Sequence, residues 1–527
     1  MKIKNFLIAL IGLTILIGCQ NKETTTKSEA AKSEVSAQSP KMKMTTPIPP
    51  EITTPDVVET RLGTLNFKNG MPDQATMDKL WDNLDFSRAV SVYLNALPAM
   101  NMYSVRKGPR DAGVPDNTIM TMETMMDSTG MYLTPNTVTP QSWVTLDLSK
   151  GPIVLEVPPG ILGPVDDAFF RYVTDIGFIG PDKGKGGKYL FLPPGYKGEV
   201  PKSGYFVIQS PTYGLWAPWR NFAVDGDVKP ALDNLKKYAR IYPLSQADNP
   251  PTSVQNKNGS YVQLNTIPPN NDLFWQYLNE VVQQEPAGFM GPEITGQIAA
   301  IGIVKGKPFK PDARMKKILT EAASVGSATA RTISLAGRLD GYYMYGEKSA
   351  WFNPFVGGSE FLQDGARVLD GRTAFHYFAT GITPAMSNTK PGQGSAYTCI
   401  AKDIEGNWFD GGNTYKLTLP ANIPHENFWS VTVYDTQTRS LLQTDYPYPA
   451  IGSGKGFPKE GSPNGAVQQN ADGTTDIYFG PEAPEGKKAN WIQTVPGRGW
   501  FNVLRIYSPK ANFLDKTWKP GEIEPVK

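Results

Sequence analysis

The stretch that most limits what this chain can fold into is Pro424 to Asp445, PHENFWSVTVYDTQTRSLLQTD, whose middle alternates as a β-strand does. Successive side chains of a strand point to opposite faces, so Trp429, Val431 and Val433 share one side while Phe428, Ser430, Thr432 and Tyr434 share the other. One side suits a core, and its opposite can line a groove rich in hydroxyls. A second strand, Trp500 to Tyr507, divides in the same way, with Trp500, Leu504 and Ile506 on one face and Phe501, Val503, Arg505 and Tyr507 on the other. If the two strands share a sheet, Arg505 meets Tyr434. An arginine in that position serves either as a structural cation bonded to carbonyls or a carboxylate, or as a ligand-binding group.

A chain of 527 residues is too long for one core, since single cores stop growing at about 250 to 300 residues, and two or three domains are expected. Its first residues, MKIKNFLIALIGLTILIGCQ, have a basic start, an apolar run from Phe6 to Ile17 and the small Gly18 before Cys19. The apolar run is short for the ~20 residues of a membrane span. Leu16-Ile17-Gly18-Cys19 resembles the bacterial lipobox, which implies cleavage before Cys19, a lipid on its sulfur and anchorage to the cell envelope. Gln20 after the cysteine fits onward sorting to an outer membrane where the organism has one. The chain holds 52 basic and 50 acidic residues, and a leader that carries off Lys2 and Lys4 leaves the two in balance. That balance argues against a nucleic-acid binder, which needs a basic surface. With Cys19 lipidated, Cys399 is the remaining cysteine, so no intramolecular disulfide forms; its setting, Tyr397-Thr398-Cys399-Ile400, suits a buried, inert thiol.

Residues 1–18 are therefore read as a leader and 19–60 as a disordered tether, poor in bulky apolar side chains. A helical lead-in over 61–109 follows, with Met77, Leu80, Trp81, Leu84, Ala89, Val90, Tyr93, Leu94 and Leu97 at helical spacing and Pro98 as its close. Short β-prone runs between Pro and Gly mark a β-rich domain over 110–229, amphipathic helices fill 230–345, and β texture returns over 346–527. Methionines 120, 122, 125, 126 and 131 lack His or Cys company and read as packing rather than a soft-metal site. GPDKGKGGKY, from Gly180 to Tyr189, lacks the spacing of a phosphate loop and reads as a wide turn. The fold class is mixed and β-dominated: two β-sandwich or jelly-roll-like bodies with helices between and around them.

The C-terminal motifs LDGRTAFHYFATGITPAM, DGGNTYKLTLP, NFWSVTVYDTQTRSLLQTD and GRGWFNVLRIY resemble the bacterial family called domain of unknown function 1214. DDAFFRYVTDIGFIGPDKGKGGKY and IGIVKGKPFKPD resemble its usual N-terminal companion, domain of unknown function 1254, in a long subfamily. The resemblance runs from about Asp73 to Lys527 and implies two sandwich-like domains, the second of jelly-roll character; it implies no activity. Relatives often carry Pro-Asn-x-Asp-Thr-x-Tyr before the first long strand. Here Pro135, Asn136 and Thr139 are kept, while Val138 and Gln141 replace the Asp and the Tyr, so a site built on those two is altered in this chain.

Two histidines, His376 and His425, lie in different segments, which excludes a His-rich zinc site, and no Gly-x-Ser-x-Gly elbow is present. His425, between Pro424 and Glu426, reads as an exposed loop residue. Asp403, Glu405, Asn407 and Asp410 fit a hairpin turn better than a calcium loop. No metal centre and no cofactor are indicated. What remains is Asp175, Tyr434, Asp435, Arg439, Arg505 and Tyr507, with Trp429 and Trp491 in nearby patterns. Arginine forks and aromatic faces bind anionic or hydroxylated ligands, and a carboxylate shifted by burial does acid or base work. Two functions stay open: a binding protein for a small molecule, glycan or lipid, with Thr432, Tyr434, Arg505, Tyr507, Trp429, Trp491 and Asp175 as candidate contacts, and a hydrolase using Asp, Tyr and Arg, with or without an oxygen-ligated metal. For Arg505 itself the preferred carboxylate partner is Asp476 rather than Asp435, and the competing reading is an interdomain contact.

Overall fold

The computed structural model describes residues 46–224, 227–454 and 467–526, so the leader, Cys19 and the tether as far as residue 45 lie outside the described residues. Two compact units divide the chain, Met1–Thr76 and Met77–Lys527. In the first, strands Val57–Thr60, Gly63–Lys68 and Met71–Pro72 form an antiparallel meander where a tether and a helical lead-in were expected. The missed signal is Asn69-Gly70, both at positive φ, which closes a tight hairpin in the way that a two-residue turn requires.

The helix Gln74–Asp111 follows, and it does not stop at Pro98: the proline lies inside it. An interior proline costs ~3 kcal/mol, but Ala89, Val92, Ala96, Ala99 and Met100 around it are completely buried, and that packing outweighs the lost hydrogen bond. Four later helices, Lys229–Tyr238, Leu273–Gln284, Pro292–Ala300 and Ala313–Leu335, occupy the expected helical region. In Leu273–Gln284, Phe274, Trp275, Leu278 and Val281 recur on one face and are buried. Asp312 caps Ala313–Leu335, accepting the Met315 N–H at 2.7 Å. Among the described residues no helix is long and apolar enough to cross a membrane.

Each β-rich region of the second unit is a sandwich, and the fold is mixed and sheet-dominated. In the first sandwich, a six-stranded sheet runs in the order Asn256–Asn258, Ile119–Thr121, Gln141–Asp147, Gly214–Arg220, Leu162–Asp167, Tyr172–Gly177. It faces a four-stranded sheet, Phe206–Gln209, Gly187–Leu192, Ile153–Val157, Arg240–Pro243. Alternate residues of both, among them Val144, Leu155, Phe191, Leu215 and Ile241, meet in one core. The sandwich thus borrows Arg240–Pro243 and Asn256–Asn258 from beyond residue 229, since ARIY continues as an edge strand once the helix ends at Tyr238. Gly180 to Tyr189 is the expected turn: Asp182 accepts the N–H groups of Gly177 at 2.8 Å and Gly186 at 3.0 Å and the Tyr189 hydroxyl at 2.5 Å.

The second sandwich sets Ser395–Ile400, Trp500–Pro509, His425–Asp435 and Ala450–Gly452 against Trp491–Gln493, Thr475–Gly480, Tyr415–Leu419 and Ile523–Pro525. Trp429, Val431, Val433, Trp500, Leu504 and Ile506 point into its core, as their alternation requires. His425 is not a loop residue: it opens a strand, half-buried, with a bulge before Phe428. Asp403 closes a hairpin, its carboxylate accepting the N–H groups of Glu405 at 3.0 Å and Asn407 at 2.9 Å. Met120, Met122 and Met126 pack with Tyr132, Trp143, Phe170 and Trp216.

Candidate functional site

Register places Tyr397, Arg505 and Ser430 side by side across three strands, with Arg505 on the central one. The face carrying Arg505 is turned away from the sandwich core, and its neighbours Tyr434, Phe501 and Val503 join a second core with the helices. The segment around Pro135 crosses this face and is pinned to it. Tyr434 donates its hydroxyl to the Pro135 carbonyl at 2.7 Å, Asn136 Nδ2 donates to Tyr507 Oη at 2.8 Å, and Arg505 Nη2 donates to the Thr134 carbonyl at 3.2 Å. Thr134 has φ 40°, a left-handed conformation that β-branched residues avoid, so its carbonyl is held toward the arginine at a local cost of ~1 to 3 kcal/mol.

Contact with this face is incomplete, and a cavity of ≈ 200 Å³ remains. Trp143, Trp216, Phe355, Phe375 and Phe378 form much of its apolar wall, and Arg220 and Arg505 are its two cations. Gly381 bends past Trp216 at φ +71°; a Cβ there would stand 2.9 Å from the indole. A vestibule of ≈ 540 Å³ shares Leu162, Pro164, Arg220, Met386 and Tyr397 with the cavity and has Phe178, Ile179, Asp175 and Lys390 on its rim. Phe178 and Ile179 are about half exposed, at 55% and 48%.

Both guanidiniums rest on tyrosines. Arg505 lies 5.6 Å above the Tyr434 ring and 5.9 Å above Tyr397, and Arg220 lies 5.7 Å above Tyr507. Arg220 donates to Tyr397 Oη at 3.2 Å and Ser395 Oγ at 3.3 Å, both neutral. Arg505 is 95% buried by its 5% exposure, and its Nη1 has no hydrogen-bond partner among the described residues. Burial works against the Arg505 charge, the surrounding tyrosines offset it, and its pKa ends above the ordinary arginine value. No carboxylate among the described residues forms an ion pair with either arginine.

The carboxyl, imidazole and thiol groups near the cavity are shifted toward their neutral forms. Burial, with Arg372 nearby, lowers the His376 pKa to about 3; the ring stacks on Phe170 at 5.7 Å, and its Nδ1 is unpartnered among the described residues. Burial holds the Asp166 carboxyl well above the usual range, opposed by an N–H from Ile382 at 3.0 Å. Asp175 is also pushed up by burial, while Tyr172 at 2.9 Å and Thr383 at 3.1 Å donate to it. The Cys399 thiol, on the cavity wall, is pushed up by burial to about 12, which leaves it unreactive.

Of the residues singled out from sequence, Arg505 lines the cavity, Tyr434 and Tyr507 support the two guanidiniums, Asp175 borders the vestibule, and Thr432 is buried on the same face outside the wall. Trp429 and Trp491 are elsewhere. Trp429 is in the sandwich core, and Trp491 donates Nε1 to the Gly480 carbonyl at 2.9 Å on the opposite sheet. Neither proposed carboxylate reaches Arg505: Asp435 pairs with Arg498 at 3.3 Å, and Asp476 accepts Thr418 Oγ1 at 2.6 Å. Arg439 lies over Tyr377 at 4.5 Å, away from the cavity wall. The residues missed were Arg220, Tyr397 and the aromatic wall. GLWAPWR carried the signal for Arg220, since Leu215 and Ala217 enter the first core and put Trp216 and Arg220 on the other face.

The two regions that meet at this cavity match known sequence families. Residues 116–243 match the model described as protein of unknown function (DUF1254), and residues 394–511 match protein of unknown function (DUF1214). The chain carries the DUF1254 and DUF1214 regions paired in that order. In this DUF1254–DUF1214 chain, Asn136 and Arg220 come from the first match, and Tyr397 and Arg505 from the second. Phe355, Phe375 and Gly381 come from the sequence between them. A similar solved structure, the VPA0106 protein of Vibrio parahaemolyticus, is 19% identical over 84% of this chain and 100% of its own, with a TM-score of 0.51, and shares the fold. An uncharacterized protein of Burkholderia cenocepacia, 10% identical over 86% of this chain and 97% of its own, has a TM-score of 0.34, too loose a likeness to bear on the fold. No curated protein matches the chain.

Proposed function

We propose that this protein is an envelope-anchored binding protein that takes a small, mostly apolar molecule into the cavity where its two sandwiches meet. One observation carries the reading: eight aromatic residues around an open space of ≈ 200 Å³ that shares wall residues with a wider vestibule. The buried, unreactive thiol of Cys399 favours binding over nucleophilic catalysis at this wall. The hydrolase alternative rests on Asp175, whose raised carboxyl borders the vestibule.

N-phenyl-1-naphthylamine, a neutral apolar fluorophore, tests the pocket. Its emission is expected to rise with the wild-type protein and to stay flat with Met386→Trp, which fills the wall shared by cavity and vestibule. Equal emission from both proteins refutes the reading. A broad ester, glycoside and phosphoester screen addresses the alternative, and turnover abolished by Asp175→Asn would establish hydrolysis. For the anchor, the lipobox-like Leu16 to Cys19 supports lipidation at Cys19 and an envelope location, at the outer membrane where one exists. Cys19→Ala is expected to release the protein from the membrane fraction or leave an uncleaved precursor; wild type that takes up no labelled palmitate refutes it.

A further inference from the structure

Resting on the reading of the cavity as a binding pocket, we propose that Arg220 and Arg505 form a clamp for the carboxylate of an amphipathic organic acid whose apolar body fills the aromatic cavity.

Two cations stand beside one cavity with no carboxylate paired to either among the described residues. The two also repel each other. Tyr397 shows that the two are neighbours, because its hydroxyl accepts from Arg220 while Arg505 lies above its ring. What each has in place of a carboxylate is weak or incomplete: Arg220 has two neutral hydroxyls, and Arg505 has one backbone carbonyl and leaves Nη1 bare among the described residues. Asp175 borders the vestibule, but its oxygens are engaged by Tyr172 and Thr383. The described residues therefore present positive charge to the cavity without supplying the counter-charge, which a bound anion completes.

The wall selects which anion. A guanidinium is a planar fork that matches a carboxylate with two parallel hydrogen bonds. Beyond the arginines the surface is mostly indole, phenyl and aliphatic, interrupted by Asn136, Gln141, Thr266 and Thr380, so a sugar or an inorganic anion would leave most of the apolar wall uncovered. A carboxylate on an alkyl chain or an aromatic ring satisfies both ends. The half-exposed Phe178 and Ile179 and the exposed Lys390 at the vestibule rim offer such a molecule an apolar and cationic entrance.

Calorimetry on the purified full chain tests this with matched probes: octanoate against octanol and octylamine, and phenylpropanoate against phenylpropanol. Each acid is expected to bind about tenfold or more tightly than its alcohol, and the amine more weakly still. Preference for the chain points to a lipid-derived acid, and preference for the ring to an aromatic one. Arg220→Met and Arg505→Met should each erase the difference between acid and alcohol while leaving alcohol binding in place, and Arg505→Lys should restore part of it. Acid and alcohol binding equally to wild type, in both pairs, overturns the clamp and leaves the pocket standing. So does an acid preference that survives in both Met variants. If Arg505→Met does not fold, the wild-type comparison and Arg220→Met decide. Failure of every probe, together with no response from the neutral fluorophore, overturns the pocket and the clamp alike.

Discussion

The two faces of the sheet built on Trp500–Pro509 differ in what they are made to exclude. Toward the partner sheet, Trp500, Leu504 and Ile506 join Trp429, Val431 and Val433 in a core closed to water, where Trp500 stacks on Phe409 at 4.1 Å and Phe479 at 4.9 Å. Toward the first sandwich and the helices, the intervening residues Phe501 and Val503 are joined by Arg505 and Tyr507, and the packing stops short around a cavity. Both faces are buried, so burial by itself does not separate a core from a site. The separating feature is charge: among the described residues the inner face leaves Trp500 Nε1 and the Asn502 amide without partners, but these are neutral, whereas the outer face holds a cation without a counter-ion.

The largest effect should come from opening the inner face. Trp500→Ala removes a fully buried indole from an aromatic stack and is expected to lower unfolding free energy by about 3 to 5 kcal/mol. Urea denaturation of the two proteins measures it. A loss below 1 kcal/mol would mean that the inner face is not the tighter of the two and would break the contrast.

How much of this was legible in the sequence follows from the same contrast. The inner face was readable because period-two alternation reports directly on a core, and Trp429, Val431, Val433, Trp500, Leu504 and Ile506 all point where it put them. The outer face was readable only as chemistry on a shared side: Tyr434, Arg505 and Tyr507 were found, but Arg220 comes from a strand some 280 residues away in sequence, and no local pattern records that pairing of sandwiches. Trp429 and Trp491 were drawn into the site by aromatic character alone, and alternation would have kept Trp429 in the core. Pro98 misled for a related reason: the sequence shows the missing N–H but not the burial on every side that compensates for it.

A second effect, of intermediate size, concerns the helix Leu369–Phe378 beside the outer face. His376 has a folded pKa of about 3 against an ordinary 6.5, lowered by burial and then by Arg372. The unfolded chain therefore binds the proton more readily between those values, so the contribution of neutral His376 is present above pH 6.5 and is lost as pH falls toward 3. From pH 7.5 to pH 5 the loss is about 2 kcal/mol. His376→Phe suits the surrounding Phe170, Phe361 and Phe375 rings and should remove that part of the acid sensitivity. Denaturation midpoints of both proteins at the two pH values measure it, and parallel losses would show that His376 takes no part.

The smallest effect on stability is the one that most sharpens the contrast. Leu504 and Arg505 are consecutive, equally inaccessible and on opposite faces, at 0% and 5% exposure. Leu504→Ala should cost about 2 to 5 kcal/mol, because it leaves a void in a packed core. Arg505→Met should change unfolding free energy by less than about 1 kcal/mol, since it removes a cation that has no carboxylate partner among the described residues and substitutes an apolar chain of similar length. What is lost, the bond to the Thr134 carbonyl and the contacts with the Tyr434 and Tyr397 rings, is offset by the end of charge burial and of repulsion from Arg220. Thermal and urea unfolding of the apo proteins give the comparison. A collapse of Arg505→Met comparable to that of Leu504→Ala would make Arg505 a structural contact between the sandwiches, and the contrast between a face that holds the fold and a face that does not would break.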